Sequence, residues 1–158
     1  MLNAPNWIGI NVFVNDEALD LFTCKKVEDF KRELNMKEGF HRRSFVATLP
    51  NDIEISVKAT RFLSIVEDEL GAIDFEIEVL NSDAEVRFEP YLDGGITNTD
   101  ANWEERFWKT LEVKSEDDKG FVLSKTLKTE FHVNTYMQSE VLLNGEKQNI
   151  DFAESKTE

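Results

Sequence analysis

Apolar and polar residues alternate over several short segments of the chain, which is the pattern of strands that bury one face. The run from Ile73 to Val79 sets four apolar side chains against three acidic ones, so the apolar groups share one face. A second alternating run, from Ala84 to Phe88, follows the turn-forming residues Asn81 to Asp83. The two runs predict an antiparallel hairpin.

A similar run lies earlier in the chain. Residues 53–59 alternate in the same way and follow the turn signal at residues 49–52, so residues 40–49 are the expected partner strand. Phe62 falls out of phase with this run. The change of phase predicts a β-bulge near residues 60–61.

The remaining segments add strands and one ambiguity. Trp7 to Val14, Phe121 to Leu127 and Phe131 to Val141 are predicted strands, and Asn144-Gly145 is a strong turn signal. Between Lys25 and Met36 the apolar residues recur at helical spacing, so helix and strand are equally supported there. Many short strands with turn punctuation favour an all-β antiparallel β-sandwich. We expect residues 1–150 to form a single domain and residues 151–158 a solvated tail.

One long segment interrupts the strands. Residues 90–108 combine tryptophans, glycines and asparagines, which is typical of an ordered loop that makes contacts. Aromatic and arginine side chains are enriched at interface centres, and indole rings also stack on sugars. The predicted contact residues, toward a substrate or a neighbouring domain, are Asp93, Asn98, Asn102, Trp103, Arg106 and Trp108. The competing interpretation is that the tryptophans are core anchors.

Charge and cysteine content limit the classes of partner and the cellular location that we expect. The formal net charge of -14 repels phosphates and anionic membranes, so neither nucleic acid nor a membrane is an expected partner. No apolar run is long enough to cross a bilayer. The single Cys24 cannot form an internal disulfide, and no signal-peptide pattern precedes the first strand. These features favour a cytoplasmic protein.

Catalytic chemistry has little support. His41 and His132 lie in predicted strands without further ligands at metal spacing, so we expect no metal. Asp93-Gly94-Gly95 is too short for a phosphate-binding loop and lacks its following helix, so we expect no cofactor either. Cys24 could at most be a slightly activated thiol. Asp93, Asp100, Glu104 and Glu105 are possible acid or base groups for glycoside chemistry. With 32 acidic residues in the chain, however, close carboxylate pairs arise by chance.

A series of motifs runs along the chain in one order. The motifs are Pro5-Asn6-Trp7, Asp20-Leu21 before Thr23-Cys24, Arg32 through Gly39, Arg61 through Ser64, Leu92 through Asn98, Asp100 through Trp103 and Phe107-Trp108. Together they resemble the N-terminal domain of family 65 glycoside hydrolases, which include maltose, kojibiose and trehalose phosphorylases. The resemblance covers Pro5 to Gly145 and is closest to the maltose or kojibiose branch.

The resemblance implies a large antiparallel sandwich of which this chain is a part, with strand rather than helix at Lys25 to Met36. It also implies a downstream (α/α)₆ barrel that holds all catalytic residues, so this chain alone would be inactive. The parent enzyme would be a homodimer that cleaves an α-glucoside with inversion, using inorganic phosphate as co-substrate and no metal. Which disaccharide it cleaves, and whether phosphate or water attacks, stay open. The alternative function is a stand-alone carbohydrate-binding β-sandwich module.

Overall fold

The computed structural model describes residues 3–97 and 106–149, and strands are the only extended regular elements within them. The strands are β1 (Asn6–Val14), β2 (Glu17–Ala18), β3 (Lys26–Asn35), β4 (Phe40–Thr48), β5 (Glu54–Leu63), β6 (Gly71–Val79), β7 (Val86–Asp93), β8 (Trp108–Glu116), β9 (Lys119–Thr126), β10 (His132–Gln138), β11 (Leu142–Leu143) and β12 (Glu146–Lys147). The predicted all-β, antiparallel class is confirmed, and the sheets are consistent with a β-sandwich.

The chain divides into two compact units. One comprises residues 11–89, and the other comprises residues 1–10 together with 90–158. The strand order is β3-β4-β5-β6 in a four-stranded sheet, β10-β9-β8 and β2-β1-β7 in two three-stranded sheets, and β11-β12 in a short ribbon. The prediction that residues 1–150 form one domain stays a prediction. The predicted tail, residues 151–158, lies outside the described residues.

The core of the 11–89 unit forms on one face of the four-stranded sheet. Phe45 on β4 pairs with Val57 on β5, which pairs with Ile77 on β6. Phe45 and Val57 are buried in one cluster with Val14, Ala47, Leu49, Ile53 and Ile55, and Ile77 packs against that cluster. Burying one such side chain stabilises the fold by about 1.5–3 kcal/mol. We call this the core face of the sheet.

The segment between Lys25 and Met36, for which the sequence supported helix and strand equally, forms strand β3. It pairs with β4 in antiparallel register, interrupted by a β-bulge between Glu28 and Lys31. The bulge explains the helical spacing of the apolar residues, because one extra residue brings Phe30 back onto the core face. There its ring stacks on that of Phe45, with centroids 6.0 Å apart.

The prediction of a β-bulge near residues 60–61 is wrong. β5 keeps an unbroken register with β6 from Ile55 opposite Val79 to Leu63 opposite Gly71. Phe62 is out of phase because it lies on the other face of the sheet, where its side chain is 45% exposed. The change of phase that predicted a bulge is therefore due to an exposed aromatic residue near the end of a strand.

The hairpin predicted for residues 73–88 is also wrong, because β6 and β7 belong to different sheets. The connecting Asn81 does not turn the chain back on itself. Its amide group donates to the Asp52 carbonyl oxygen and accepts from the Glu54 N–H, both at 2.9 Å. Farther along, the Glu85 N–H donates to the Asn15 side chain at 2.9 Å, beside the start of β7.

In the other unit, β8, β9 and β10 form an antiparallel meander. The predicted strands β9 and β10 are confirmed, whereas β8 and the two-residue β2 were not predicted. The sequence of β8 lacks a clear alternation of apolar and polar residues, because its register shifts between Thr110 and Glu112 and most of its residues are exposed. The turn at Asn144-Gly145 is confirmed, since both residues have positive φ, 51° and 85°, as a tight β11–β12 connection requires.

The long loop is shorter than predicted. β7 continues through Pro90 to Asp93, and β8 begins at Trp108. The predicted loop therefore loses its first four residues and its last one to strands. The connection that remains runs from residue 94 to residue 107.

Candidate functional site

The two ends of the long connection are held together by main-chain pairing. Thr97 and Arg106 form an isolated antiparallel bridge, which closes the base of the loop. Arg106 is exposed. Asn98, Asn102 and Trp103 lie outside the described residues, so their proposed contact role stays a prediction. The structure thus describes the stem of the candidate site, residues 93–97 and 106–108.

Trp108 is fixed by a long-range hydrogen bond. Its indole N–H donates to the main-chain oxygen of Asn3 at 2.6 Å, and its ring is half-buried. In the sheet it lies opposite Thr126 on β9. The neighbouring Phe107 carbonyl accepts from the Leu127 N–H at 2.9 Å, which continues the pairing by one residue. Trp108 therefore joins the N-terminal segment to the edge of this sheet.

Asp93 and Gly94 shape the other side of the stem. The Asp93 carboxylate accepts a hydrogen bond from the Gly95 N–H at 2.8 Å, which is a local turn. Gly94 is buried, and a Cβ atom there would lie 2.7 Å from Thr110 Oγ1 and 2.8 Å from Val122 Cγ1. Only glycine permits this close approach of residue 94 to β8 and β9. The Asp-Gly-Gly motif has a structural role at this position.

Ser124 lies beneath this turn and was not singled out from the sequence. Its side chain is fully buried, and among the described residues its hydroxyl is the buried side-chain polar atom without a hydrogen-bond partner. It is also 3.1 Å from a Cβ placed on Gly94. The buried residues of β9 are the alternate ones, Gly120, Val122, Ser124 and Thr126. This alternation of small residues in the sequence could have indicated that Ser124 is buried.

Three of the carboxylates considered for glycoside chemistry, at residues 100, 104 and 105, lie outside the described residues. His41 lies in β4 and His132 in β10, as predicted. Within residues 3–97 and 106–149, no three His, Cys, Asp or Glu residues are grouped to hold a metal ion. The same residues include no helix long and apolar enough to cross a membrane.

Cys24 is not an activated thiol. Its Sγ donates to the Asp20 carbonyl oxygen at 3.1 Å. Burial, and then the charge of Asp20, raise the pKa of the Cys24 thiol above its ordinary value. Both effects disfavour the reactive thiolate. The slight activation that its sequence neighbours allowed is therefore not found.

The whole chain, residues 1–158, matches the family described as glycosyl hydrolase family 65, N-terminal domain. The chain belongs to this family. Maltose phosphorylase of Bacillus subtilis (strain 168) is 39% identical over 131 residues, which make up 83% of this chain and 17% of that protein. Alpha,alpha-trehalose phosphorylase of Thermoanaerobacter brockii is 30% identical over 139 residues, 83% of this chain and 18% of that protein.

Kojibiose phosphorylase of Thermoanaerobacter brockii is 32% identical to this chain over 99 residues, 63% of this chain and 13% of that protein. The resemblance derived from the motifs is thus confirmed. The domain spans less than a fifth of the length of these relatives.

Proposed function

We propose that this domain is a non-catalytic part of a disaccharide phosphorylase of the maltose or kojibiose type, in which it supports a downstream (α/α)₆ catalytic barrel. The identity of 39% with a maltose phosphorylase, over most of this chain, is the observation that carries the proposal. The whole enzyme would cleave an α-glucoside with inversion to glucose 1-phosphate, with inorganic phosphate as co-substrate and no metal, in the cytoplasm.

The stem of the loop supports a role in contacts between domains or subunits of a homodimer. Arg106 is exposed beside the Thr97 bridge, and an arginine next to aromatic residues is a combination found at interface centres. The bridge restricts the main chain at Thr97 and Arg106, so these two residues lose less conformational entropy when they meet a partner. Asp93, Arg106 and Trp108 would fix the orientation of the loop.

The alternative, a stand-alone carbohydrate-binding module, gains less support from Trp108. A stacking platform needs an accessible indole face and free polar neighbours. The Trp108 ring is half-buried, and its N–H is already bonded to Asn3.

Two measurements on the purified chain separate these functions. Calorimetric titration with maltose and kojibiose should give no saturable binding, and incubation with either sugar plus phosphate should release no glucose 1-phosphate. Saturable sugar binding would favour the carbohydrate-binding module, and glucose 1-phosphate would contradict the non-catalytic assignment. The reading frame of the gene should also encode several hundred further residues of α/α periodicity beyond this domain. A gene without such residues would contradict the support role.

A further inference from the structure

Three arginines and a histidine share one face of the four-stranded sheet. Arg43 on β4 is two residues from Phe45, and Arg61 on β5 is four residues from Val57, so both side chains lie on the core face. Arg32 on β3 is directly opposite Arg43, and His41 is directly opposite Arg61. These four residues, called the basic patch below, continue the core face beyond its apolar part.

The opposite face of the same strands carries both signs of charge. There Lys58 forms an ion pair with Glu76, and Lys31 lies 3.8 Å from Glu33. Arg42, the sequence neighbour of Arg43, donates to Thr60 Oγ1 at 3.1 Å on that face. The excess of positive charge is therefore a property of the core face alone.

The basic patch has no compensating carboxylate in the part of the chain that the structure describes. None of the ion pairs within residues 3–97 and 106–149 includes Arg32, Arg43 or Arg61. Like charges directly opposite each other destabilise a sheet. Burial, and then Arg32 and Arg61, lower the pKa of Arg43. Although the chain as a whole is acidic, it thus contains an unfavourable cross-strand pair of arginines, Arg32 and Arg43.

Two of the guanidinium groups make cation–π contacts with aromatic rings, and these contacts do not occupy the N–H donors of the arginines. Arg32 lies 5.6 Å from the ring centroid of Phe30, and Arg43 lies 5.6 Å from that of Phe45. The two rings stack on each other. Cation–π contacts of this kind position a charge and leave its hydrogen-bond donors available to a ligand.

We propose that the basic patch binds an acidic protein segment, an extended peptide with Asp or Glu carboxylates at alternate positions. Guanidinium groups bind carboxylates through paired hydrogen bonds. The three arginines stand on three neighbouring strands, so the outer two are about 10 Å apart across the sheet. That spread exceeds a single small anion, whereas alternate residues of an extended peptide are about 7 Å apart.

An apolar neighbour also favours a peptide over a free inorganic anion. Leu34 is two residues from Arg32, opposite His41, and is therefore on the same face. Its side chain is 69% exposed. A peptide can cover this side chain with an apolar residue next to its carboxylates, and inorganic phosphate cannot. β3 is also an edge strand, so the patch reaches the border of the sheet.

The test is fluorescence anisotropy with the whole chain and a labelled peptide of alternating Glu and Leu. We expect saturable binding, with affinity at least about tenfold lower for the matching Gln–Leu peptide, since charge-assisted bonds are lost. The Arg43→Gln/Arg61→Gln variant should lose a similar factor. Arg42→Gln removes one arginine from the opposite face and is the matched control for the single Arg43→Gln variant, so it should retain the affinity of the unchanged chain.

Several outcomes would overturn the proposal. They are the absence of peptide binding, equal affinity for both peptides, equal losses in the control and patch variants, or preferential binding of inorganic phosphate with the same arginine dependence. Salt-sensitive self-association that Arg43→Gln abolishes would identify a second copy of the chain as the occupant instead. If the double variant does not fold, NMR titration of His41 in the unchanged chain decides, because bound carboxylates should raise its pKa and the Gln–Leu peptide should not.

Discussion

The indole N–H of Trp108 is bonded to the main-chain oxygen of Asn3, 105 positions earlier in the chain. Trp108 is the first residue of β8, so this bond joins the N-terminal segment to one end of the β8–β9–β10 sheet. Trp108, a predicted contact residue, therefore has a structural role within its own unit.

Replacing Trp108 with Phe should lower the free energy of unfolding by about 1 kcal/mol, because the ring is largely kept and one hydrogen bond is lost. Urea titration followed by circular dichroism measures the change. Trp7→Phe, the same exchange at a half-buried position of β1, controls for the loss of indole area. Equal effects of the two replacements would show that the bond to Asn3 contributes nothing.

The sequence predicted the strands with a buried alternating face well, because burial of one face imposes period two. β4, β5 and β6 are examples, and their apolar residues form the core of their unit. β8 was missed because its residues are mostly exposed and its register shifts within the strand. Exposed strands leave little hydrophobic pattern to detect.

Partners in space were harder to predict than strands. Residues 81–83 have the composition of a hairpin turn, yet the Asn81 side chain bonds to the turn between β4 and β5. Such a bond depends on residues almost 30 positions away, and local pattern cannot reveal it. The basic patch was invisible for the same reason, since Arg32, Arg43 and Arg61 meet only through strand register.

Asn81→Ala should destabilise the domain by about 1–2 kcal/mol, because two hydrogen bonds to main-chain groups are lost at an exposed site. Ser82→Ala, in the same turn, is the control and should change stability by less than about 0.5 kcal/mol. Thermal unfolding of both variants provides the comparison. A stable Asn81→Ala variant would mean that packing alone directs the chain from β6 to β7.

Gly94→Ala should cost about 1–3 kcal/mol of stability, since the added methyl group meets Thr110 Oγ1 and Val122 Cγ1 within 2.8 Å. Gly95→Ala is the matched control. There the nearest atom to an added Cβ is Asp93 Oδ1 at 3.3 Å, a side-chain atom that can move. We expect the control to lose clearly less in urea titration. The reverse order would exclude the close approach of residue 94 to β8 and β9 as the reason for this glycine.

His41 should make the domain less stable in mildly acidic solution. Burial, and then the charges of Arg61, Arg32 and Arg43, lower the pKa of His41 below its ordinary value of 6.5. The folded chain therefore takes up this proton less readily than the unfolded chain. Stability falls as the pH drops from about 6.5 through the lowered pKa, and this contribution is constant above that range. Lys58 lowers the pKa of Glu76, but that carboxylate is present in every variant compared below, so its contribution cancels in the comparison.

The measurement is the free energy of unfolding between pH 7.5 and 5, an interval of about one unit or more on each side of the ordinary histidine pKa. His41→Gln should reduce the loss of stability over this range more than His132→Gln, which removes the imidazole of β10 instead. In the unchanged chain the His41 pKa can be followed by NMR, and Arg61→Gln should raise it because the positive charge directly opposite is removed. A His41 pKa that does not respond to Arg61→Gln would contradict the electrostatic coupling between these facing residues.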